Sequence, residues 1–411
     1  MSAANGPTVM LLTRDLGIGG AQENALALAK YLPRAGCPTV VCTFADGPLR
    51  AEVEALGVPV HVLAGRRHSV VALPLFLSEM RRRRNDLLRL VREHGVGVVQ
   101  ARGLGTLDFL AATLRARGRV QVWWTIENVI FMVRREHQRR NAWLFRPKLA
   151  AHRFLYRTLA SRVDGVVAVS DDTETAFRSA VGYRGSNMVV VPNGVDVERY
   201  PAPVDRDALR AQLGVGPGDH VMTMVGTFKR QKGHRFLVEA ATTVTRAHPE
   251  LRILLVGDGE LREDIGRQVE AAGLGERVRF LGARRDVPEL LAASDSFVLP
   301  SLWEGLPIAL IEAMAGGLPV VATAVSGTSQ VMIDGETGWI VPPGDTTALA
   351  DAIVEVLEDT DRATSMGAAA RERVASRFGA MTQAERLVTL FRGQGRTLAE
   401  PSRRRAGAGV R

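Results

Sequence analysis

Short apolar runs alternate along the chain with longer stretches in which apolar residues recur every three or four positions. The first run, TVMLLTRD, is followed by LGIGGAQENALALAKYL, and this order repeats through the first half of the sequence. The short runs predict buried parallel strands, and the periodic stretches, such as TLDFLAATLRARG, predict amphipathic helices. Regular alternation of the two predicts an open α/β sheet with right-handed crossovers.

A second α/β series follows the proline-bearing stretch YPAPVDRDALRAQLGVGPGDH, which predicts a linker with a short helix. Its predicted strands are HVMTMVGTF, LRILLVGDG, VRFLG, SFVLPS, LPVVAT and GWIVPPG. Two α/β domains joined by a linker typically bind a ligand in the cleft between them. We expect domains at 1–199 and 200–377, a helical segment at 378–396 that returns toward the first domain, and a disordered basic tail at 397–411.

Composition agrees with a soluble two-domain protein. The 411 residues are too many for one core, and 46% hydrophobic with 24% charged residues is ordinary. The sequence contains no apolar run of about 18 residues and does not begin with a secretory signal, so a cytoplasmic location is expected. Cys37 and Cys42 have no metal-ligand spacing and are predicted to be reduced.

Positive charge is concentrated in the first half of the chain. Residues 1–200 contain 28 Lys and Arg against 17 Asp and Glu, whereas residues 201–411 contain 25 against 27. This asymmetry predicts an anionic partner, either a membrane surface or an acidic substrate, although solvated arginine-rich helices explain it equally well. Because aromatic residues are only 5%, stacking platforms for nucleic acid are not expected.

Glycine-containing turns follow several of the predicted strands. The turn GIGGAQE lacks the G-x-G-x-x-G spacing, but its glycines and the following helix would let an anionic ligand approach the backbone. In VGTFKRQKGH, the cations Lys229, Arg230 and Lys232 follow a strand, where they would neutralise a pair of phosphates. Gly257 in LLVGDGELRE marks a further turn of this kind.

Two glutamates lie in the otherwise uncharged stretch LPSLWEGLPIALIEAMAGG. A helix is predicted from about Pro307 to Ala315, so Glu304 precedes it in a loop and Glu312 lies within it. The spacing excludes an adjacent acid/base pair and predicts contacts with two parts of one extended ligand. A match to a metal-binding D-x-D, Asp205–Asp207, is better explained as a helix start, so no metal site is expected.

These glutamates, spaced as E-x7-E, together with VPNGVD, VGDGE and GETGWIVPPGD, resemble the GT-B-fold retaining glycosyltransferases of family 4, the glycosyl transferases group 1. The resemblance covers most of the chain. It implies two Rossmann-like domains facing across a cleft. It also implies metal-independent transfer of a sugar, without a cofactor, from a UDP-, GDP- or ADP-sugar to a hydroxyl acceptor. A lipid-linked or polysaccharide precursor would suit the basic first domain, which would then lie peripherally at the inner face of the cell membrane.

The resemblance also implies roles for particular residues. Catalytic roles fall to Glu304, Lys232 and Glu127. Glu312 would bind the ribose, Lys232 the pyrophosphate, and Arg284 would lie near the base. The implied donor-binding set is Gly20, Thr227, Lys229, Arg230, Lys232, Gly257, Arg284, Glu304, Gly305, Leu306, Pro307 and Glu312, and the implied acceptor-binding set is Arg102, Glu127 and Asn128.

Three positions depart from the pattern of this family. Thr227 stands where arginine is common, so Lys229 or Arg230 would supply the second cation, and Arg102 and Glu127 stand where histidine is frequent. A catalytically altered homologue that binds carbohydrate or nucleotide sugar therefore remains an alternative. An NAD-dependent oxidoreductase is a weaker alternative, because the sequence lacks the G-x-G-x-x-G fingerprint of that class and the acidic residue that accompanies it. The E-x7-E block argues against a nucleotide-sugar epimerase.

Overall fold

The computed structural model describes residues 6–63, 73–103, 120–127 and 142–393. The predicted helix in TLDFLAATLRARG, the acceptor candidate Asn128 and the basic tail lie outside these ranges. Within them, the strands form two parallel sheets, one of seven strands and one of six. Two Rossmann-like α/β units were predicted, and this part of the prediction is confirmed.

The first sheet has the order β3-β2-β1-β4-β5-β6-β7. Alternate residues of β1 enter different cores, Met10 and Leu12 on one face and Val9 and Leu11 on the other, because helices cover both sides of the sheet. Its strands are β1 Thr8–Thr13, β2 Thr39–Thr43, β3 Val60–Val62, β4 Val96–Arg102, β5 Gln121–Ile126, β6 Gly165–Ala168 and β7 Met188–Val190. Its described helices are α1 Gly20–Arg34, α2 Arg50–Ala55, α3 Leu73–Glu93, α4 Ala142–Ala160 and α5 Asp171–Val181.

The second sheet has the order β10-β9-β8-β11-β12-β13. Its strands are β8 His220–Val225, β9 Leu251–Val256, β10 Val278–Gly282, β11 Ser296–Leu299, β12 Val320–Thr323 and β13 Trp339–Val341. The helices from the linker onward are α6 Arg206–Gln212, α7 His234–Ala247, α8 Arg262–Ala271, α9 Val287–Ala292, α10 Ile308–Ala315, α11 Thr328–Val331, α12 Thr346–Glu358, α13 Thr360–Arg377 and α14 Ala380–Phe391.

The last helix, α14, packs against α1 of the first unit, and Phe391 belongs to the same apolar core as Val9 and Leu11. The predicted helix start at Asp205 is confirmed, since its side chain caps α6 by accepting a hydrogen bond from the amide of Ala208 at 3.0 Å. The domain boundary at residue 199 stays a prediction. No helix in the described ranges is both long and apolar enough to cross a bilayer.

Strand order reverses between β1 and β4 in the first sheet and between β8 and β11 in the second. Ligands of open α/β sheets bind outside the carboxyl ends of the strands at such points. The loops that follow these strands are therefore where a ligand site is expected.

Candidate active site

A cleft of about 450 Å³ lies between the two sheets and is lined by both. Residues of α1 and the end of β5 form one wall, the loops after β8, β9, β10 and β11 form the other, and Arg199 and Tyr200 of the connecting segment also line it. The sequence-predicted residues that line it are Gly20, Glu127, Thr227, Lys232, Gly257, Arg284, Glu304, Leu306, Pro307 and Glu312.

The turn after β8 carries Lys232 into the cleft. A single helical turn, Arg230–Lys232, ends at Gly233, whose φ of 71° lies in the left-handed region. A Cβ at this glycine would meet the carbonyl oxygen of Pro300 at 1.9 Å, so no other residue fits. The lysine side chain packs over Gly226, where an added Cβ would meet its Cδ at 3.2 Å.

Glu304, in the loop after β11, is buried, and both of its carboxylate oxygens accept hydrogen bonds. The Nζ of Lys232 lies 2.7 Å from its Oε1, and the Ser301 hydroxyl donates to the same oxygen at 2.7 Å. The side-chain amide of Gln231 donates to Oε2 at 3.2 Å. The charged head of Lys232 is thereby fixed at the cleft, where it can meet an anionic ligand.

The helix α10 begins one residue later than the sequence predicts. Pro307 is its N-cap rather than part of its first turn, and Gly317 follows its end with a left-handed φ of 77°. Glu312 lies inside this helix and is only 8% exposed. Burial, and then the negative charge of Glu23, raises the pKa of Glu312 to about 7.

Three residues around Glu312 were missed by sequence reasoning. Glu23 of α1 pairs with Arg199 at 3.0 Å, and the Tyr200 side chain interacts with Glu312 itself. Glu23 ends the stretch GIGGAQE, in which only the glycines indicated a ligand, and Arg199 and Tyr200 lie in the segment that connects the two sheets, where no local motif marks them. Their arrangement places a carboxylate, a guanidinium and a phenol next to the buried glutamate, where polar hydroxyls of a ligand would find both donors and acceptors.

Two glycines allow close approach of backbone segments at the cleft. A Cβ on Gly20 would meet Ile308 at 3.0 Å, so the start of α1 contacts the start of α10. Gly257 has a φ of 136°, and a Cβ there would meet the carbonyl oxygen of Gly226 at 2.1 Å. On the opposite rim, Arg284 forms a hydrogen bond from its Nε to Asp286 at 2.7 Å.

The cations predicted to compensate for Thr227 do not line the cleft. Thr227 itself does, but Lys229 and Arg230 lie on the exposed side of the turn. Within the described ranges, the cationic side chains along the cleft are Arg199, Lys232, Arg284 and Arg285. No group of three or more His, Cys, Asp or Glu residues with a metal-binding arrangement occurs in these ranges.

Arg102, predicted to bind the acceptor, is buried and is not among the residues that line the cleft. Its side chain is 1% exposed and donates to Glu127 Oε1 at 2.8 Å, to Asn24 Oδ1 at 2.5 Å and to Asn193 Oδ1 at 3.4 Å. Glu127 itself lines the cleft. In this position Arg102 meets the cleft lining through Glu127, and its role toward an acceptor stays a prediction. Gly305 is likewise buried, and its carbonyl oxygen accepts a hydrogen bond from Ser170 at 2.9 Å.

Two family models match the chain, one on each side of the predicted boundary. The model described as Glycosyltransferase Family 4 matches residues 18–199, and the model described as Glycosyl transferases group 1 matches residues 205–373. Together they cover every described strand except β1, Thr8–Thr13.

Two curated relatives are similar to this chain. A GDP-mannose-dependent alpha-(1-6)-phosphatidylinositol monomannoside mannosyltransferase of Mycobacterium tuberculosis is 30% identical over 338 residues, which is 80% of this chain and 83% of that protein. A UDP-Gal:alpha-D-GlcNAc-diphosphoundecaprenol alpha-1,3-galactosyltransferase of Escherichia coli is 36% identical over 174 residues. In that match the chain spans less than half of the relative, 45% of its length, and the match covers 41% of this chain.

Among solved structures, that of Anabaena Alr3699/HepE in complex with UDP and glucose is similar to this one. It is 25% identical, with a TM-score of 0.77 over 94% of this chain and all of that one. The structure of WaaG, a glycosyltransferase involved in lipopolysaccharide biosynthesis, has a TM-score of 0.71 at 17% identity. The latter likeness concerns the fold alone.

Proposed function

The chain belongs to the family 4 glycosyltransferases of group 1 and has their GT-B fold, and on that premise we propose that it transfers a sugar from a nucleotide-diphosphate sugar to a hydroxyl acceptor with retention of configuration. The observation that carries the proposal is the ion pair between the partly buried Lys232 and the buried Glu304, with an Nζ–Oε1 distance of 2.7 Å at the carboxyl edge of the second sheet. The cleft has room for a ligand of nucleotide-sugar size, because ligand pockets of this kind measure roughly 300–1,000 Å³.

Breaking the sugar–phosphate bond leaves positive charge on the anomeric carbon and negative charge on the departing diphosphate. Lys232, held in place by Glu304, is positioned to stabilise the departing charge without reorganising. The backbone of Leu306 and Pro307, before the first turn of α10, would hold the distal phosphate and the sugar, and Glu312 would accept hydrogen bonds from the ribose.

Retention is proposed to follow from attack on the face that the diphosphate leaves. The departing phosphate oxygen would take the proton of the acceptor hydroxyl, so the protein need supply only charge and position. The carboxylate of Glu127 faces the cleft from the first sheet and would orient the acceptor. We propose that the step needs no divalent metal, since Lys232 supplies the cation, and activity undiminished in EDTA would support this.

The donor nucleotide is proposed from the relatives. HepE is described as binding UDP and glucose, and the mycobacterial relative is named as GDP-mannose-dependent. UDP-glucose, GDP-mannose and ADP-glucose should therefore be compared by thermal shift, with Glu304→Gln as the matched variant. One nucleotide sugar should raise Tm in the natural protein and much less in the variant. If none of the three raises Tm, the proposed function is wrong.

A catalytically altered homologue is the second candidate, because Thr227, Arg102 and Glu127 depart from the pattern that the family resemblance implies. Such a protein would bind the same donor but would not turn it over. Release of free nucleotide from the donor that raises Tm, measured with a membrane extract as acceptor, separates the two. Binding without release in any extract would favour the altered homologue.

A lipid-linked acceptor at the inner face of the membrane is proposed from charge and from the relatives. Both curated relatives are named for lipid-linked acceptors, a phosphatidylinositol mannoside and a diphosphoundecaprenol-linked sugar. On α4, Phe154 is 62% exposed, and Arg157 lies over its ring at 5.9 Å. Exposed aromatic and basic side chains on one helix suit an anionic bilayer. Flotation with phosphatidylglycerol vesicles should capture the protein at low salt, and no capture would contradict the proposal.

A further inference from the structure

The loop that follows Glu304 is contacted by a helix from the other sheet. Ser170, the N-cap of α5 in the first unit, is fully buried and donates its hydroxyl to the carbonyl oxygen of Gly305 at 2.9 Å. The same hydroxyl oxygen accepts a hydrogen bond from the amide of Thr173 at 3.1 Å. One side chain therefore caps a helix of the first unit and holds a backbone carbonyl of the second.

A second contact supports the same loop. The amide of Gly327 donates to Asp172 of α5 at 3.3 Å. Gly327 packs directly on the loop, since a Cβ there would meet the Gly305 carbonyl oxygen at 2.3 Å and the Leu306 Cα at 3.0 Å. The first turn of α5 thus reaches the peptide between Gly305 and Leu306 both directly and through Gly327.

Apolar packing fixes the same junction. Val169, which precedes the cap, is fully buried and belongs to the core cluster of the second unit that contains Leu306 and Ile308. Tertiary contacts on both sides of Ser170 therefore hold its hydroxyl against the loop. A side chain in this environment cannot rotate away without leaving the Gly305 carbonyl buried and unpaired.

The orientation of this peptide determines where an amide points. The peptide between Gly305 and Leu306 is trans, so its C=O and N–H point in opposite directions. A hydroxyl that holds the Gly305 carbonyl toward α5 therefore directs the Leu306 amide to the opposite side, and Leu306 lines the cleft. We propose that Ser170 is a positioning residue for the donor: from the first unit, it sets the Leu306 amide to bind the distal phosphate or the sugar.

The inference rests on the proposed function, because it assumes a nucleotide-sugar donor. It adds that donor binding requires contact between the two units, since neither Ser170 nor Asp172 belongs to the sheet that carries Glu304. Binding of a nucleoside monophosphate, which lacks the distal phosphate and the sugar, should not depend on Ser170. Binding of the complete nucleotide-sugar donor should depend on Ser170.

The test compares Ser170→Ala with the natural protein by calorimetric titration of UDP-glucose and GDP-mannose, and of UMP and GMP. The nucleotide sugar that the natural protein binds should bind about tenfold more weakly to the variant, and the matching monophosphate within about twofold. Ser170→Thr keeps both the hydroxyl and the cap and should restore binding. Ser170→Gly removes the hydroxyl but costs the helix little stability, because glycine is a good N-cap residue. It should therefore weaken donor binding as Ser170→Ala does, even if Ser170→Ala folds poorly.

The control for loss of a helix cap is Asp345→Ala. Asp345 caps α12 through the amide of Ala348 at 3.0 Å and is not among the residues that line the cleft. The Asp345→Ala variant should lower Tm without changing the ratio of the affinity for the donor to the affinity for the monophosphate. Equal weakening of donor and monophosphate in the Ser170 variants, or no weakening of either, would overturn the inference. If the natural protein binds neither of these sugars, the same comparison is made with ADP-glucose and AMP; if it binds none of the three sugars, the proposed function fails and the inference with it.

Discussion

Glu312→Gln should make the protein more stable and a poorer binder of its donor. The carboxyl group of Glu312 is 8% exposed, and burial together with the charge of Glu23 raises its pKa from 4.5 to about 7. Glutamine has nearly the same shape and remains neutral at every pH. The substitution therefore removes the cost of charging this site and leaves the packing of α10 intact.

The magnitude follows from the change in pKa. Because the folded pKa lies above the unfolded value, the folded state holds the proton more tightly, and this stabilisation is lost as pH rises through 7. At 1.36 kcal/mol per pKa unit, ionisation of Glu312 costs about 3 kcal/mol above pH 7. Glu312→Gln should thus be about 3 kcal/mol more stable than the natural protein at pH 8 and nearly equal to it at pH 4.5. With all 411 residues unfolding together, the corresponding gain in Tm is roughly 3–4 °C.

Thermal unfolding from pH 4.5 to 8.5, followed by circular dichroism, measures this difference. Glu372→Gln, which changes an exposed glutamate on α13, is the matched control and should follow the natural protein at every pH. The donor should bind the Glu312 variant about 10- to 100-fold more weakly, because a hydrogen bond to a charged acceptor contributes about 1.5–3 kcal/mol. If the natural protein and Glu312→Gln lose stability in parallel as pH rises, the buried-carboxyl argument is refuted.

Three further predictions concern the turn, the ion pair and the buried arginine. Lys232→Ala and Glu304→Ala should each abolish sugar transfer with the circular dichroism spectrum unchanged, and near-normal turnover by both would contradict the site. Gly233→Ala should lower the free energy of unfolding, measured in urea, by about 2 kcal/mol or more, because the left-handed φ is strained for alanine and the added Cβ meets a carbonyl oxygen. Gly266→Ala, in open space within α8, should instead raise it by about 1 kcal/mol. Arg102→Met leaves Glu127 without its cation and should cost about 3 kcal/mol by the same measurement.

The fold and one half of the site follow from local sequence. Valine-rich runs predict parallel strands because they are buried on both faces, and Pro307 with Gly316 and Gly317 brackets the helix that carries Glu312. Glu304 is recognisable because it lies in the loop before that helix. Its contact with Lys232, 72 residues earlier, follows only from the adjacency of β8 and β11.

The other half of the site depends on long-range contacts. Arg199 and Tyr200 have no motif of their own, and Glu23 lies in the stretch GIGGAQE, in which only the glycines indicated a ligand. The three meet near Glu312 because the start of α1, the connecting segment and α10 line one cleft. The contact between Ser170 and Gly305 spans 135 residues. The sequence indicates that Ser170 caps a helix, but a single chain position cannot reveal that the same hydroxyl also serves the opposite unit.

Arg102 and Glu127 both depart from the family pattern, and in the fold they form an ion pair with each other. They follow or end the neighbouring strands β4 and β5, where Arg102 pairs in register with Thr125, so their side chains meet at one edge of the sheet. Either charge alone would be buried without a partner, which costs several kcal/mol, whereas together they form an ion pair. Neutral histidines at both positions would need no such pairing. The two charges are therefore coupled in this structure, and replacing either one removes the ion pair.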